Sequence, residues 1–261
     1  MDYKVFLKLV STMGLKASSF ANSAIILGMS EYQDAETAQF YDRKMGDSGD
    51  AHHRLLLDPP MEALLPAADV GVLDVGSGNG YGTQRLGRKY RRVVGIDQSE
   101  ELVKIASAKR QPGFDIQYRV VDIENGLPFS DKSFGLIFSH MVLHYIHDVD
   151  LVAQEFYRVA QDGATVLLSQ THPEYEIRKV PELKGRTGRT NYSRQGLGDS
   201  MLLKNLYFEP IEEFGEHFTK AGFTLIRTED VVFTEDYVSH DPKYRDFVGT
   251  PRAAIFVLQK I

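Results

Sequence analysis

Val72-Leu73-Asp74-Val75-Gly76-Ser77-Gly78-Asn79-Gly80-Tyr81-Gly82 is the stretch on which the fold turns. A largely apolar run from Val70 to Val75 ends in four alternating glycines, and Thr83-Gln84-Arg85-Leu86 follow at once. That order predicts a buried strand, a tight turn and a helix start. Glycine suits backbone that turns with positive φ or admits a ligand where a Cβ would intrude. The dinucleotide fingerprint G-x-G-x-x-G fails in every register, because the third glycine falls on Tyr81, Thr83 or Arg85. The phosphate loop G-x-x-x-x-G-K-[ST] also fails, since Gly82 and Gly87 are followed by Arg88-Lys89 with no hydroxyl for magnesium. A plain glycine-rich strand-to-helix turn without a ligand is the remaining alternative.

The register that fits is D-x-G-x-G-x-G. Val72 to Gly80 resembles the first motif of the class I S-adenosylmethionine-dependent methyltransferases. The resemblance implies that Gly76, Gly78 and Gly80 pass under the methionine part of the cofactor, with Asp74 near its ammonium group.

Outward from the turn the pattern repeats. Arg92-Val93-Val94-Gly95-Ile96 reads as a second strand ending at Asp97. Ligands of α/β sheets bind beyond the carboxyl ends of strands, and an acid about 20 residues past the glycine turn can accept both ribose hydroxyls. Gln98 is the neighbour expected to touch the adenosine, and Ser99 or Asp97 the cap of a helix over Glu100 to Lys109. Phe114 to Val121 reads as a third strand with Asp122-Ile123 beyond it. The resemblance places the Asp122 carboxylate on the adenine amino group and the Ile123 N–H on a ring nitrogen. Leu127-Pro128-Phe129 and Ser133-Phe134-Gly135-Leu136-Ile137-Phe138 extend the resemblance, with Gly135 where the family usually has Asp.

Strand four is expected to end at Ser139, where the family's backbone meets the methionine moiety. His140 is then the first side chain facing an acceptor, with His144 one helical turn on, on the same face. Both are candidate bases or orienters. His140, His144 and His147 also have the spacing of metal ligands. Methyl transfer requires no metal and no carboxylate joins them before Asp148, so none is expected.

Upstream, residues 31–50 predict a short helix followed by a loop, and Asp50 to Leu65 a helix with an interruption. In small-molecule members of the resembled family the segment before the first motif folds over the cofactor, which implies that Tyr41 covers it and that Arg54 pairs with its carboxylate, as a guanidinium fork matches a carboxylate, the alternative for Arg54 being a surface cap or pair. Asp58-Pro59-Pro60 resembles the D-P-P-Y of base-amino methyltransferases. Position 61 is Met61 and the element precedes the glycine turn, so it is read as a helix start.

Downstream, Leu151 to Ala160 predicts an amphipathic helix closed by Asp162-Gly163, and Ala164 to Gln170 a fifth strand. Residues 174–208 hold seven basic residues against four acids and several glycines. They are read as an insertion covering the acceptor, or as a solvated loop. Glu209 to Ala221 predicts a helix stopped by Gly222, and residues 223–233 and 253–259 a closing antiparallel hairpin.

The 261 residues suit one large domain, with 43% hydrophobic composition, 15 Phe and 13 Tyr. The net charge of −6 does not call for a nucleic-acid surface. The absence of cysteine excludes disulfides, thiolate catalysis and Cys-based zinc. No apolar run reaches the roughly 20 residues of a membrane helix, and the N-terminal runs are too short for a secretory leader. Residues 1–30 are read as a helical arm packing on the domain or on a second subunit, which leaves a homodimer open; a transit peptide is the lesser alternative.

Together these features predict an α/β, Rossmann-like, doubly wound seven-stranded sheet with an antiparallel last strand, an N-terminal arm over 1–30, a domain over 31–261 and a lid at about 174–208. The implied function is transfer of the S-adenosylmethionine methyl group to O, N or C of a small-molecule metabolite, leaving S-adenosylhomocysteine, in the cytoplasm. The alternatives are a tRNA-type nucleic-acid methyltransferase and a cofactor-binding protein or cyclase that transfers no methyl group.

Overall fold

The computed structural model describes residues 34–67, 69–196 and 201–261. The arm expected over 1–30 lies outside them. Helix α1 (Ala35–Met45) is started by the Asp34 carboxylate, which accepts from the Thr37 N–H at 2.8 Å. A π turn (His53–Leu57) runs into α2 (Asp58–Ala63), whose first turn holds the two prolines. Then come β1 (Gly71–Val75), α3 (Tyr81–Lys89), β2 (Arg92–Asp97), α4 (Glu100–Ala108), β3 (Asp115–Val120), β4 (Phe134–His140), α5 (Val149–Val159) and β5 (Ala160–Thr171). Beyond β5 lie α6 (Pro173–Lys179), β6 (Thr190–Gly196), β7 (Met201–Phe208), α7 (Ile211–Ala221), β8 (Thr224–Val232), α8 (Glu235–His240) and β9 (Pro251–Gln259).

Seven strands form one sheet in the order β3-β2-β1-β4-β5-β9-β8. β1 to β5 pair in parallel, and β9 runs antiparallel to both β5 and β8. The chain moves outward from β1 to β3 and then crosses back to β4, so the switch point lies between β1 and β4. There Val75 sits opposite Ser139. Gly135, the departure from the family pattern, has a structural reason. A Cβ there would lie 2.7 Å from Val70 Cβ, so its absence lets β4 begin against the entry to β1.

Alternation along the strands supplies two apolar layers. Leu73, Val75, Val166, Leu168, Ala254 and Phe256 pack under α5 and α7 through Phe156, Phe214 and Phe218. Val72, Val93, Leu136, Leu167, Ala253 and Ile255 pack under the π turn, α2 and α8 through Leu57, Met61 and Tyr237. Each fully buried aromatic or aliphatic side chain of this kind stabilises by about 1.5–3 kcal/mol.

Two expectations are corrected. Gly163 does not close α5. That helix ends at Val159 because Ala160 is already extended, and Lys260 donates to the Tyr157 and Ala160 carbonyls at 2.8 and 3.0 Å. Gly163 instead occupies an irregular stretch of β5, with its N–H donating to the Lys260 carbonyl at 2.7 Å. Nor is 174–208 a bare solvated loop, since it contains α6 and the antiparallel β6–β7 pair. Three of its four arginines are held by side-chain partners, while Arg186 is exposed. Arg194 pairs with Glu176 at 2.5 Å, Arg189 pairs with Glu209, and Arg178 donates to the Asp246 carbonyl and Thr250 hydroxyl, both at 2.7 Å.

Candidate functional site

The glycine turn leaves β1 at the switch point, with φ of +76° at Gly76, +54° at Gly78 and +85° at Gly80. The Gly76 and Ser77 N–H groups both donate to the Ile96 carbonyl, at 2.8 and 2.9 Å, which ties the turn to β2. Asp97 ends β2 beside it. One carboxylate oxygen accepts from the Gly78 N–H and the other from the Ser99 N–H, both at 2.9 Å. Ser99 caps α4. Burial pushes the Asp97 carboxyl up despite these two donors.

Tyr41 stands over the turn. A Cβ at Gly78 would lie 3.3 Å from its ring and 3.4 Å from its hydroxyl oxygen. The buried Asn79 fixes this arrangement by donating to Asp42 at 2.7 Å and to the Gly46 carbonyl at 2.9 Å, which anchors the end of α1. Beside the turn, the buried hydroxyls of Ser77 and Ser139 have no hydrogen-bond partner. Tyr41, Gly76, Gly78, Gly80, Asp97 and Ser139 are thus brought to one crevice. Gln98 is half-buried next to Asp97. Ile123 is 6% exposed, with its side chain in the core. Asp122 is exposed and caps the short 3₁₀ turn Ile123–Asn125, accepting from the Glu124 N–H and the Asn125 amide at 3.0 and 2.8 Å.

Asp74 lies beneath the turn, 4% exposed, and accepts from the Thr83 hydroxyl at 2.6 Å. Burial pushes its carboxyl up to about 7, the Thr83 hydrogen bond opposes this, and the Asp97 charge adds to it. A carboxyl raised from 3.8 binds its proton in the folded state over a range where the unfolded chain has released it. Its stabilising contribution is therefore lost as pH rises through that range. Asp74→Asn should gain in melting temperature relative to wild type between about pH 5 and 8, read by thermal denaturation across the range.

Arg54 is corrected. It is exposed on the π turn, and its neighbour His53 faces inward. The His53 ring lies 5.6 Å from that of His140 and 5.8 Å from that of Tyr81, with its Nδ1 2.9 Å from Asp50.

His140 is the last residue of β4. Met141, with φ of +61°, then turns the chain, so no helix carries His140 and His144 on a common face. His144 sits in the 3₁₀ turn Leu143–Tyr145. His147 is exposed and its ring lies 5.7 Å from that of Tyr207. Both nitrogens of His140 are engaged, Nδ1 with the Ser169 hydroxyl at 2.5 Å and Nε2 with Asp58 at 3.2 Å. Burial pushes the imidazole below its usual range although Asp58 opposes this. A neutral ring that meets a carboxylate at Nε2 carries its proton there, so Nδ1 accepts from Ser169. His144 is also buried, and its Nδ1 has no partner. Burial, followed by the charges of Arg194, Arg252 and Arg189, holds it well below the ordinary histidine range.

Asp58 was missed by the sequence reading as a site residue. It is 5% exposed and pairs with Arg85, while the Tyr81 hydroxyl donates to it at 3.3 Å. Burial opposes its ionisation, but His140 and Arg85 outweigh that and hold the carboxyl below its usual range. The aspartate of D-P-P was visible, but its partner lies 82 positions away.

Residues 73–168 match the family model described as a methyltransferase domain. Over 105 residues the chain is 38% identical to malonyl-[acyl-carrier protein] O-methyltransferase 1 of Coxiella burnetii, covering 40% of this chain and 34% of that protein. Over 108 residues it is 32% identical to the mitochondrial ubiquinone biosynthesis O-methyltransferase of Rattus norvegicus, covering 40% and 31%. The chain thus spans about a third of the length of each of these relatives. The crystal structure of an S-adenosylmethionine-dependent methyltransferase from Mesorhizobium loti superposes with a TM-score of 0.64 at 20% identity, covering 82% of this chain and all of that one. Residues 73–168 are thus similar to a methyltransferase domain, and the sheet order and strand-tip glycine turn share the fold of the solved S-adenosylmethionine-dependent methyltransferase. Among the described residues no helix is long and apolar enough to cross a membrane.

Proposed function

We propose that the chain transfers the methyl group of S-adenosylmethionine to a small-molecule acceptor in the cytoplasm, leaving S-adenosylhomocysteine. The observation that carries the reading is the roofed turn. Tyr41 covers Gly78, Asp97 is fixed at its side, and the buried hydroxyls of Ser77 and Ser139 await a polar ligand. Such orphaned groups are costly unless a ligand satisfies them. In this reading Gly76, Gly78, Gly80 and Ser139 receive the methionine end, with Asp74 beneath them. Asp97 and Gln98 take the ribose side, and Asp122 and Ile123 the purine.

When bound, the cofactor supplies an electrophilic sulfonium methyl group and departs as a neutral thioether. The protein then has chiefly to hold the acceptor in line and exclude water. His144, neutral and with a free buried Nδ1, is placed to accept the proton or hydrogen bond of a hydroxyl acceptor. His140, held at both nitrogens, acts as an orienting group. Two curated relatives are named as O-methyltransferases, which favours oxygen as the acceptor atom. The net charge of −6 favours a small acceptor over a nucleic acid.

The test is calorimetry with S-adenosylhomocysteine, followed by transfer of a labelled methyl group to a panel of phenols, carboxylates and amines. Uptake of the thioether and label appearing in a product support the proposal. An absence of uptake refutes it, and uptake without label in any product favours a binding protein or cyclase.

A further inference from the structure

Arg252 begins β9, and β9 runs antiparallel to β5, so this residue stands at the carboxyl-end rim of the sheet. Its backbone carbonyl accepts from the His172 N–H at 3.1 Å, next to the end of β5. The guanidinium lies over the Tyr175 ring, 4.5 Å from its centroid, and its Nε donates to His52 Nε2 at 2.9 Å. His52 Nδ1 meets the Tyr237 hydroxyl at 2.8 Å. A His52 ring that accepts at Nε2 carries its proton on Nδ1 and is neutral. Arg252 Nη1 is buried and has no hydrogen-bond partner, and no ion pair joins Arg252 to an acid among the described residues.

The other arginines nearby are neutralised. Arg194 has Glu176, and Arg189 has Glu209. Of the acids around His52, Asp50 meets His53 Nδ1 at 2.9 Å and Asp241 pairs with Lys243, and neither forms an ion pair with Arg252. Arg252 therefore stands on a partly buried rim without an ion-pair partner among the described residues. Its neighbours there also carry unpartnered buried atoms: His144 Nδ1, Gln170 Oε1 and Thr171 Oγ1. A buried cation without an anion is costly, and a free guanidinium edge matches a carboxylate in shape and charge. One spare charge calls for one negative charge, which favours a carboxylate over a dianionic phosphate.

We propose that the acceptor carries a carboxylate and that Arg252 is the residue that selects it. This rests on the methyl-transfer reading, because it identifies the rim beside His144 as the acceptor's place.

The probes are acetate, malonate and benzoate, each titrated against its carboxamide by ligand-observed NMR, with and without S-adenosylhomocysteine. At least one carboxylate should bind about tenfold more tightly than its amide. Arg252→Gln should erase that preference, and Arg252→Lys, which keeps the charge, should retain part of it. Calorimetric uptake of S-adenosylhomocysteine by both variants, unchanged from wild type, shows that they are folded. Should no carboxylate be preferred by wild type, or should Arg252→Gln keep the preference, the inference is overturned. If the thioether does not bind but the carboxylate preference and its loss are seen, the anion site stands and the methyl-transfer reading falls.

Discussion

Gly76→Ala is expected to cost about 3 kcal/mol of stability and to prevent uptake of S-adenosylhomocysteine. A Cβ at this position would lie 2.2 Å from Val142 Cγ2, 2.9 Å from Cγ1 and 3.1 Å from Cβ. Neither side can retreat easily. The Gly76 and Ser77 N–H groups are both held by the Ile96 carbonyl, and Val142 is fixed by Met141 before it and the 3₁₀ turn after it. The left-handed backbone adds about 1–2 kcal/mol for any residue with a side chain, and overpacking about 1–3 kcal/mol. The two contributions separate in a double mutant. Val142→Ala removes both γ carbons, so Gly76→Ala with Val142→Ala should recover the overpacking share and leave the backbone cost. Urea denaturation of the four proteins measures this coupling, and strictly additive losses would contradict the proposed clash.

Asp58→Ala is expected to lower stability by a further-reaching route, by about 3 kcal/mol. Removing the carboxylate strands Arg85, which is 25% exposed, and deprives the Tyr81 hydroxyl and His140 Nε2 of their partner. Asp58→Asn keeps an oxygen for Tyr81 and His140 but loses the charge facing Arg85, so its loss should be smaller. Equal losses in the two variants, measured by denaturant midpoint, would show that packing rather than pairing matters here. NMR of the His140 ring provides an independent reading, because the proton on Nε2 is fixed by Asp58 and should exchange between nitrogens in the alanine variant.

The sheet was legible because its evidence is local. Alternating glycines after an apolar run, an acid at the end of the next strand and period-two burial are all written within a few residues of one another. Asp97 ends the second strand as expected and there accepts from the Gly78 N–H. Where a helix with an interruption was expected, the π turn at His53–Leu57 brings the His53 ring against His140 and Tyr81 and leaves Arg54 exposed. The His140–Asp58 and Arg252–His52 contacts join residues 82 and 200 positions apart, and no local pattern encodes such pairings. Residues 174–208 looked like solvated loop because their charge was counted without partners. Glu176 and Glu209 pair with Arg194 and Arg189, and this lets β6 and β7 fold.

Arg189 also donates to the carbonyls of Leu143 and Ile146, at either end of the turn that bears His144. Its carboxylate partner, Glu209, contacts His217 at 2.9 Å, and the opposite ring nitrogen meets Asp150 at 2.7 Å. The turn that bears His144 thus takes its bearing from outside the segment 73–168 that resembles a methyltransferase domain. If the proposed reading holds, choice of acceptor is a separable trait: edits to the hairpin or to Glu209 should retune it while uptake of S-adenosylhomocysteine stays as it was.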